Sequence, residues 1–205
     1  MKNPVFSLPL LLLVMLSSAI SAAQPPEPPT LDETISACES CHAAGTQALA
    51  PSLNGMQGWY MEEQILNFRA DRRGTASLDA TVTEMARQAK SLTESQISRV
   101  VDYYSDQKRL HSSATVIGNS NNGKPLYEEN CAGCHAGRMG RRFTKSPYIN
   151  HLEGAYLLQQ LQLFAANSRS FAVEGKHKTK MIEVSKRFSL QELSDITAYI
   201  KSQPN

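Results

Sequence analysis

This chain has no cysteine to spare: among 205 residues there are four, and each belongs to one of two identical short patterns. Aromatic residues are also scarce, with one Trp, six Phe and seven Tyr, so side chains alone would give either half only a thin core. Beyond the first 23 residues there is no apolar run long enough to cross a bilayer as a helix. Neither charge dominates: residues 24–205 carry a net charge of +1, which argues against a nucleic-acid binder. Strand-like alternation is missing as well, which leaves helices as the expected elements.

The first 23 residues differ from the rest. Lys2 precedes an apolar stretch from Val5 to Ile20, and the small residues Ser21-Ala22-Ala23 close it. This is the layout of a secretory signal peptide cleaved after Ala23. At about 16 residues the apolar stretch is short of the roughly 20 needed for a span. The expectation is an exported, periplasmic protein with no transmembrane segment after cleavage.

The two cysteine patterns are Cys38-Glu39-Ser40-Cys41-His42 and Cys131-Ala132-Gly133-Cys134-His135. Cys-x-x-Cys-His is the attachment sequence for c-type haem. Two thiols at that spacing reach the two vinyl groups on one porphyrin edge, and the adjoining His turns its imidazole to the iron. Redox disulfides would not need the His. A four-thiolate zinc site would have to join pairs that lie 93 residues apart. Structural disulfides are the blandest alternative in an exported protein. Two complete motifs behind an export signal favour two covalent haems.

The halves also superimpose in sequence. At an offset of 96, Pro51 meets Pro147, Tyr60 meets Tyr156, Gln64 meets Gln160 and Phe68 meets Phe164. Arg73 meets Arg169, Met85 meets Met181 and Tyr103 meets Tyr199 at the same offset. The Cys-x-x-Cys-His motifs are offset by 93, so the second copy holds three extra residues before Pro147, in the basic stretch of Arg138, Arg141 and Arg142. The reading is a duplication: signal peptide 1–23, N-terminal domain 24–110, linker 111–123 and C-terminal domain 124–205. Helices are expected over about 31–38, 58–71 and 93–105, and over about 124–132, 154–167 and 189–202. Thr93 with Gln96, and Ser189 with Glu192, form capping boxes for the last helix of each copy. The first half carries a net −4 and the second +5, a dipole able to orient the protein on charged partners.

The second axial position decides what a haem does. Methionine opposite His raises the potential and closes the iron to substrates. Of five methionines after residue 23, only Met85 and Met181 pair in the repeat. They are the expected distal ligands, each in a segment free to fold over the far haem face, against the plainer role of core filler. His151, standing where the first copy has Gly55, and His177, four residues before Met181, read as surface histidines, with ligation in the second domain as their competing role.

With these motifs, the proline segments and the paired methionines before Leu92-Thr93-Glu94 and Phe188-Ser189-Leu190, the chain resembles the dihaem cytochrome c₄ type. The resemblance implies an all-α fold of two tandem class I cytochrome c domains, with haems facing each other across the domain interface. It implies His42 and Met85, and His135 and Met181, as axial ligands, with Cys38, Cys41, Cys131 and Cys134 as covalent anchors. Pro51 and Pro147 would support His42 and His135, and Trp59, Tyr60, Arg73, Tyr156 and Arg169 are positional candidates for the haem carboxylates. The function expected is one-electron transfer between protein partners, among them membrane respiratory complexes or a terminal oxidase, with no catalytic group. An electron-accepting subunit of a periplasmic oxidoreductase is the first alternative and a haem peroxidase the second.

Overall fold

A computed structural model describes residues 29–43, 50–73, 80–112, 116–169 and 175–203. The expected signal peptide lies outside them. The described residues form ten helices and no strands, as the missing alternation foretold. In the first half these are α1 (Leu31–His42), α2 (Gly58–Arg69), α3 (Ala80–Ser91) and α4 (Glu94–Asp106). The second half holds α5 (Ser120–Asn130), α6 (Ala132–His135), α7 (Arg138–Thr144), α8 (Gly154–Ala165), α9 (Lys176–Ser185) and α10 (Leu190–Ser202).

Local chemistry explains where several of these helices start. Thr30 with Glu33, Thr93 with Gln96 and Ser189 with Glu192 each close a complete capping box, satisfying two backbone donors that the first turn leaves free. On α4, Ile97, Val100, Val101 and Tyr104 follow the i, i+3, i+4, i+7 spacing of one helical face, and all four are buried. Leu193, Ile196 and Ile200 do the same on α10. Each such side chain contributes on the order of 1.5–3 kcal/mol when fully buried.

First and last helices of each half pack together, α1 on α4 and α5 on α10. The second crossing corrects a reading made from sequence. The run Asn119-Ser120-Asn121-Asn122-Gly123, rich in turn formers, was expected to be linker, yet α5 begins at Ser120. The Asn119 side chain accepts from the Asn121 amide at 3.0 Å and caps the helix. Gly123 is there for packing rather than for a turn. A Cβ at that position would lie 1.9 Å from the Asp195 carbonyl oxygen, so only glycine lets α5 approach α10 this closely.

Four helices were not anticipated: α3, α6, α7 and α9. The segments carrying Met85 and Met181 were expected as chain free to fold over a haem, but both are helical, in α3 and α9. The insertion in the second copy also coils, as α7. Between the halves, the described segment from Arg109 to Ser112 is held at both ends. Arg109 donates to the Gly55 carbonyl from Nε (3.2 Å) and Nη2 (3.0 Å), and the Ser112 amide donates to the His151 carbonyl at 3.2 Å. Gly55 and His151 occupy the same register position of the repeat, so equivalent points of the two domains grip one strap.

Candidate cofactor clefts

Each half opens into a large, mostly apolar cleft. The first measures about 1870 Å³ and the second about 1240 Å³, open space at the mouths included. Cys38, Cys41, His42, Pro51 and Met85 line the first; Cys131, Cys134, His135, Pro147 and Met181 line the second. The repeat register thus delivers the same five residue types to both walls. The two cysteine pairs line separate clefts, so no four-thiolate zinc site forms. All four thiols are unbridged and half-buried. Burial raises the Cys38 thiol above its ordinary range and pushes Cys131 up to about 12. Such thiols are poor thiolate nucleophiles or metal ligands.

The histidines are held in one orientation. His42 Nδ1 lies 2.8 Å from the Pro51 carbonyl oxygen, and His135 Nδ1 lies 3.1 Å from that of Pro147. A carbonyl only accepts, so Nδ1 carries the proton and donates it. Nε2 is left with a free lone pair, the arrangement found in metal-ligating histidines whose other nitrogen is hydrogen-bonded. Burial lowers the pKa of both imidazoles, which keeps them neutral. The role that family resemblance gave to Pro51 and Pro147 is therefore visible as a pair of hydrogen bonds.

Met85 reaches its cleft from α3 and Met181 from α9, and both are half-buried. Met56 and Met61 also border the first cleft, but they are closed into the core at 5% and 2% exposure. Met139 is 61% exposed on α7. His151, expected as a surface residue or a rival ligand, is neither exposed nor in the cleft wall. It is 1% exposed, stacked on Tyr148 with ring centroids 5.6 Å apart, behind the strap between the halves. The side chain of His177 lies outside the described residues.

Between the clefts the halves share a polar network that obeys the repeat. Arg73 donates to Gln64 Oε1 (2.9 Å), Gln160 Oε1 (2.9 Å) and Tyr156 Oη (3.4 Å). Arg169 mirrors it, donating to Gln160 Oε1 (2.8 Å), Gln64 Oε1 (2.9 Å) and Tyr60 Oη (2.9 Å). Each guanidinium also covers the phenylalanine of its own half, Arg73 over Phe68 at 4.3 Å and Arg169 over Phe164 at 4.4 Å. Both arginines are buried, and neither has a carboxylate in ion-pair range among the described residues. Arg169 Nε has no hydrogen-bond partner among the described residues. Two buried cations side by side call for an anion. The carboxylates of a haem fit that need, and the clefts reach Arg73 and Arg169.

Four of the five positional candidates thus come together. The fifth, Trp59, is 43% exposed at the rim of the second cleft. The sequence reading overlooked Gln64 and Gln160 as functional residues, although they sit in register between Tyr60 and Phe68 and between Tyr156 and Phe164. Polar residues recurring four apart in an otherwise apolar stripe were the signal. It also overlooked Glu153, whose buried carboxylate accepts from the Ser52 amide of the other half at 3.2 Å, and the Lys178–Glu63 ion pair across the same boundary.

The cytochrome c family model matches residues 33–107 and again residues 120–204. No curated protein matches the chain. Among solved structures, cytochrome c4 from Acidithiobacillus ferrooxidans is similar at 22% identity and a TM-score of 0.63, over 82% of this chain and 99% of that one. Cytochrome c4 from Pseudomonas stutzeri is similar at 20% identity and 0.65, over 83% and 95%. A chain of the thiosulfate dehydrogenase TsdBA from Marichromatium purpuratum is similar at 24% and 0.63, over 83% of this chain but 36% of that one. At these identities the likeness is one of fold: two tandem helical domains.

Proposed function

From the premise that this chain belongs to the cytochrome c family in both halves, we propose that it is an exported carrier that moves single electrons between protein partners, with His/Met-ligated iron in each domain. The family and the two Cys-x-x-Cys-His motifs give it two covalently bound haem c groups, one at Cys38 and Cys41 and one at Cys131 and Cys134. When bound, the group supplies an iron that alternates between ferric and ferrous states.

The observation that carries the reading is the duplicated cleft: a histidine fixed by a proline carbonyl on one wall and a methionine on a helix of its own, in both halves. The chain's own work is then to hold geometry. The Pro51 and Pro147 carbonyls fix the imidazole tautomer of His42 and His135. Met85 and Met181 would hold the iron from α3 and α9, which would leave no open site for a substrate. Arg73 and Arg169 would neutralise the haem carboxylates, and they keep the two sites in contact through Gln64 and Gln160. The absorption spectrum of the ferric protein tests this. A methionine–iron charge-transfer band at full two-haem intensity is expected; half intensity, or a high-spin signal, would refute His/Met ligation in one domain.

The similarity to part of TsdBA favours a second reading, in which the same pair of domains accepts electrons inside an enzyme complex. Co-purification with a catalytic chain from the native source would decide for it. Export to the periplasm rests on the Lys2 to Ala23 segment, and N-terminal sequencing of the exported protein should begin at Gln24.

A further inference from the structure

Helix α7 lies in the stretch that carries the three-residue insertion, against the haem-attachment loop of the second domain. Gly140 packs so tightly on the loop that a Cβ there would be 2.4 Å from the Gly133 carbonyl oxygen. Arg141 ties the inner side of the helix down, donating to the carbonyls of His135 (3.2 Å) and Ala136. Its guanidinium also covers Tyr148 at 4.9 Å. The following residues, Thr144 to Ser146, form part of the cleft rim.

The outer side of α7 is unlike the rest of the surface. Met139 is 61% and Phe143 73% exposed, one turn apart, and Arg138, Arg142 and Lys145 surround them in solvent. None of these three cations is ion-paired among the described residues. From Cys131 through Leu152 the sequence contains no acidic residue. Uncompensated cations ringing an exposed apolar pair have a rim-and-centre composition typical of a protein-docking surface. Their charge selects an anionic counterpart. Two apolar side chains on a seven-residue helix are too few for insertion into a lipid surface.

We propose that the outer face of α7 docks an acidic redox protein, with Arg138, Arg142 and Lys145 steering it and Met139 and Phe143 making the dry contact over the attachment edge of the second domain. The inference rests on the electron-carrier reading and adds to it the site and the charge of one partner.

The test is stopped-flow oxidation of the reduced holoprotein by plastocyanin, an acidic blue-copper protein, followed against ionic strength. At about 10 mM salt, where exposed charges act over about 30 Å, Arg138→Gln/Arg142→Gln should slow oxidation about tenfold and flatten the salt dependence. Met139→Ser/Phe143→Ser should slow it about threefold at every ionic strength. Lys186→Gln/Arg187→Gln removes the same charge at the end of α9 and should stay within about twofold of wild type. Equal slowing by the α9 pair, or wild-type rates in both α7 variants, overturns the proposal. So do a dimer that Arg138→Gln/Arg142→Gln dissolves, and sedimentation with phosphatidylglycerol vesicles that the same change abolishes. If hexacyanoferrate(III) also fails to oxidise the protein, the carrier reading fails. The amide shifts of α7 on titration with plastocyanin still decide the docking face.

Discussion

Replacing His151 by phenylalanine should make the protein markedly less sensitive to acid. The imidazole is 1% exposed, neither ring nitrogen has a hydrogen-bond partner among the described residues, and it stacks on Tyr148. Burial, assisted by the positive charges of Arg109 and Lys201 and by His111, pushes its pKa down to about 3 from an ordinary 6.5. Above pH 6.5 the ring is neutral in both folded and unfolded chains and contributes no pH dependence. Below that value the unfolded chain takes up a proton that the folded one refuses. Unfolding is then favoured by about 1.4 kcal/mol for each further pH unit, until the folded ring protonates near pH 3. At pH 4.5 this amounts to about 3 kcal/mol, a large part of the ~5–15 kcal/mol by which domains are stable. Phenylalanine keeps a planar ring of similar size against Tyr148 and cannot titrate. Guanidinium unfolding of holoprotein and variant, followed by far-UV circular dichroism at pH 7.5 and pH 4.5, measures the effect. The difference between the two proteins should shift by about 3 kcal/mol in favour of the variant at the lower pH. Parallel stabilities, within about 0.5 kcal/mol at both pH values, would refute the reasoning.

Other perturbations have equally definite outcomes. Gly123→Ala should destabilise the second half by about 1–3 kcal/mol, seen in thermal unfolding, because α5 must back away from the Asp195 carbonyl. Arg73→Gln and Arg169→Gln share the acceptors Gln64 and Gln160, so a double-mutant cycle should return a coupling of about 0.5–3 kcal/mol; strict additivity would mean that the network is not one unit. Met181→Leu should halve the methionine–iron band and leave the Met85 contribution intact, as read in the ferric absorption spectrum. Thr93→Ala removes the side-chain half of a capping box and should cost about 1 kcal/mol in denaturant midpoint without altering either haem spectrum.

The fold was legible where the chain repeats itself and where chemistry forces a spacing. Cys-x-x-Cys-His, the paired prolines and the capping boxes each reflect a local constraint, and local constraints survive in sequence. Helix α3 was legible too: Val82, Met85, Ala86 and Ala89 keep helical spacing, and Ala86 and Ala89 are buried. Expecting Met85 to be a ligand on a free segment hid that period. What sequence could not reveal is where a residue's partner comes from a distant part of the chain. Gly123 and Asn119 looked like turn formers because α10, the surface that needs a glycine there, lies about 70 residues on. His151 looked like a surface residue or a rival ligand because nothing nearby in sequence announces that the strap at Arg109 to Ser112 will cover it. Arg73 and Arg169 were placed at the clefts by position alone, and only the fold makes them neighbours.

The strap has a bearing on how an electron would cross the molecule. Linked domains ordinarily rock against each other. Here one short segment is gripped by Gly55 on one side and His151 on the other, while Glu153 and Ser52, and Lys178 and Glu63, lock the same boundary. Passage from one half to the other would then need no rocking of the two halves. Its rate should be indifferent to solvent viscosity, with the separation of the two sites set once, when the chain folds.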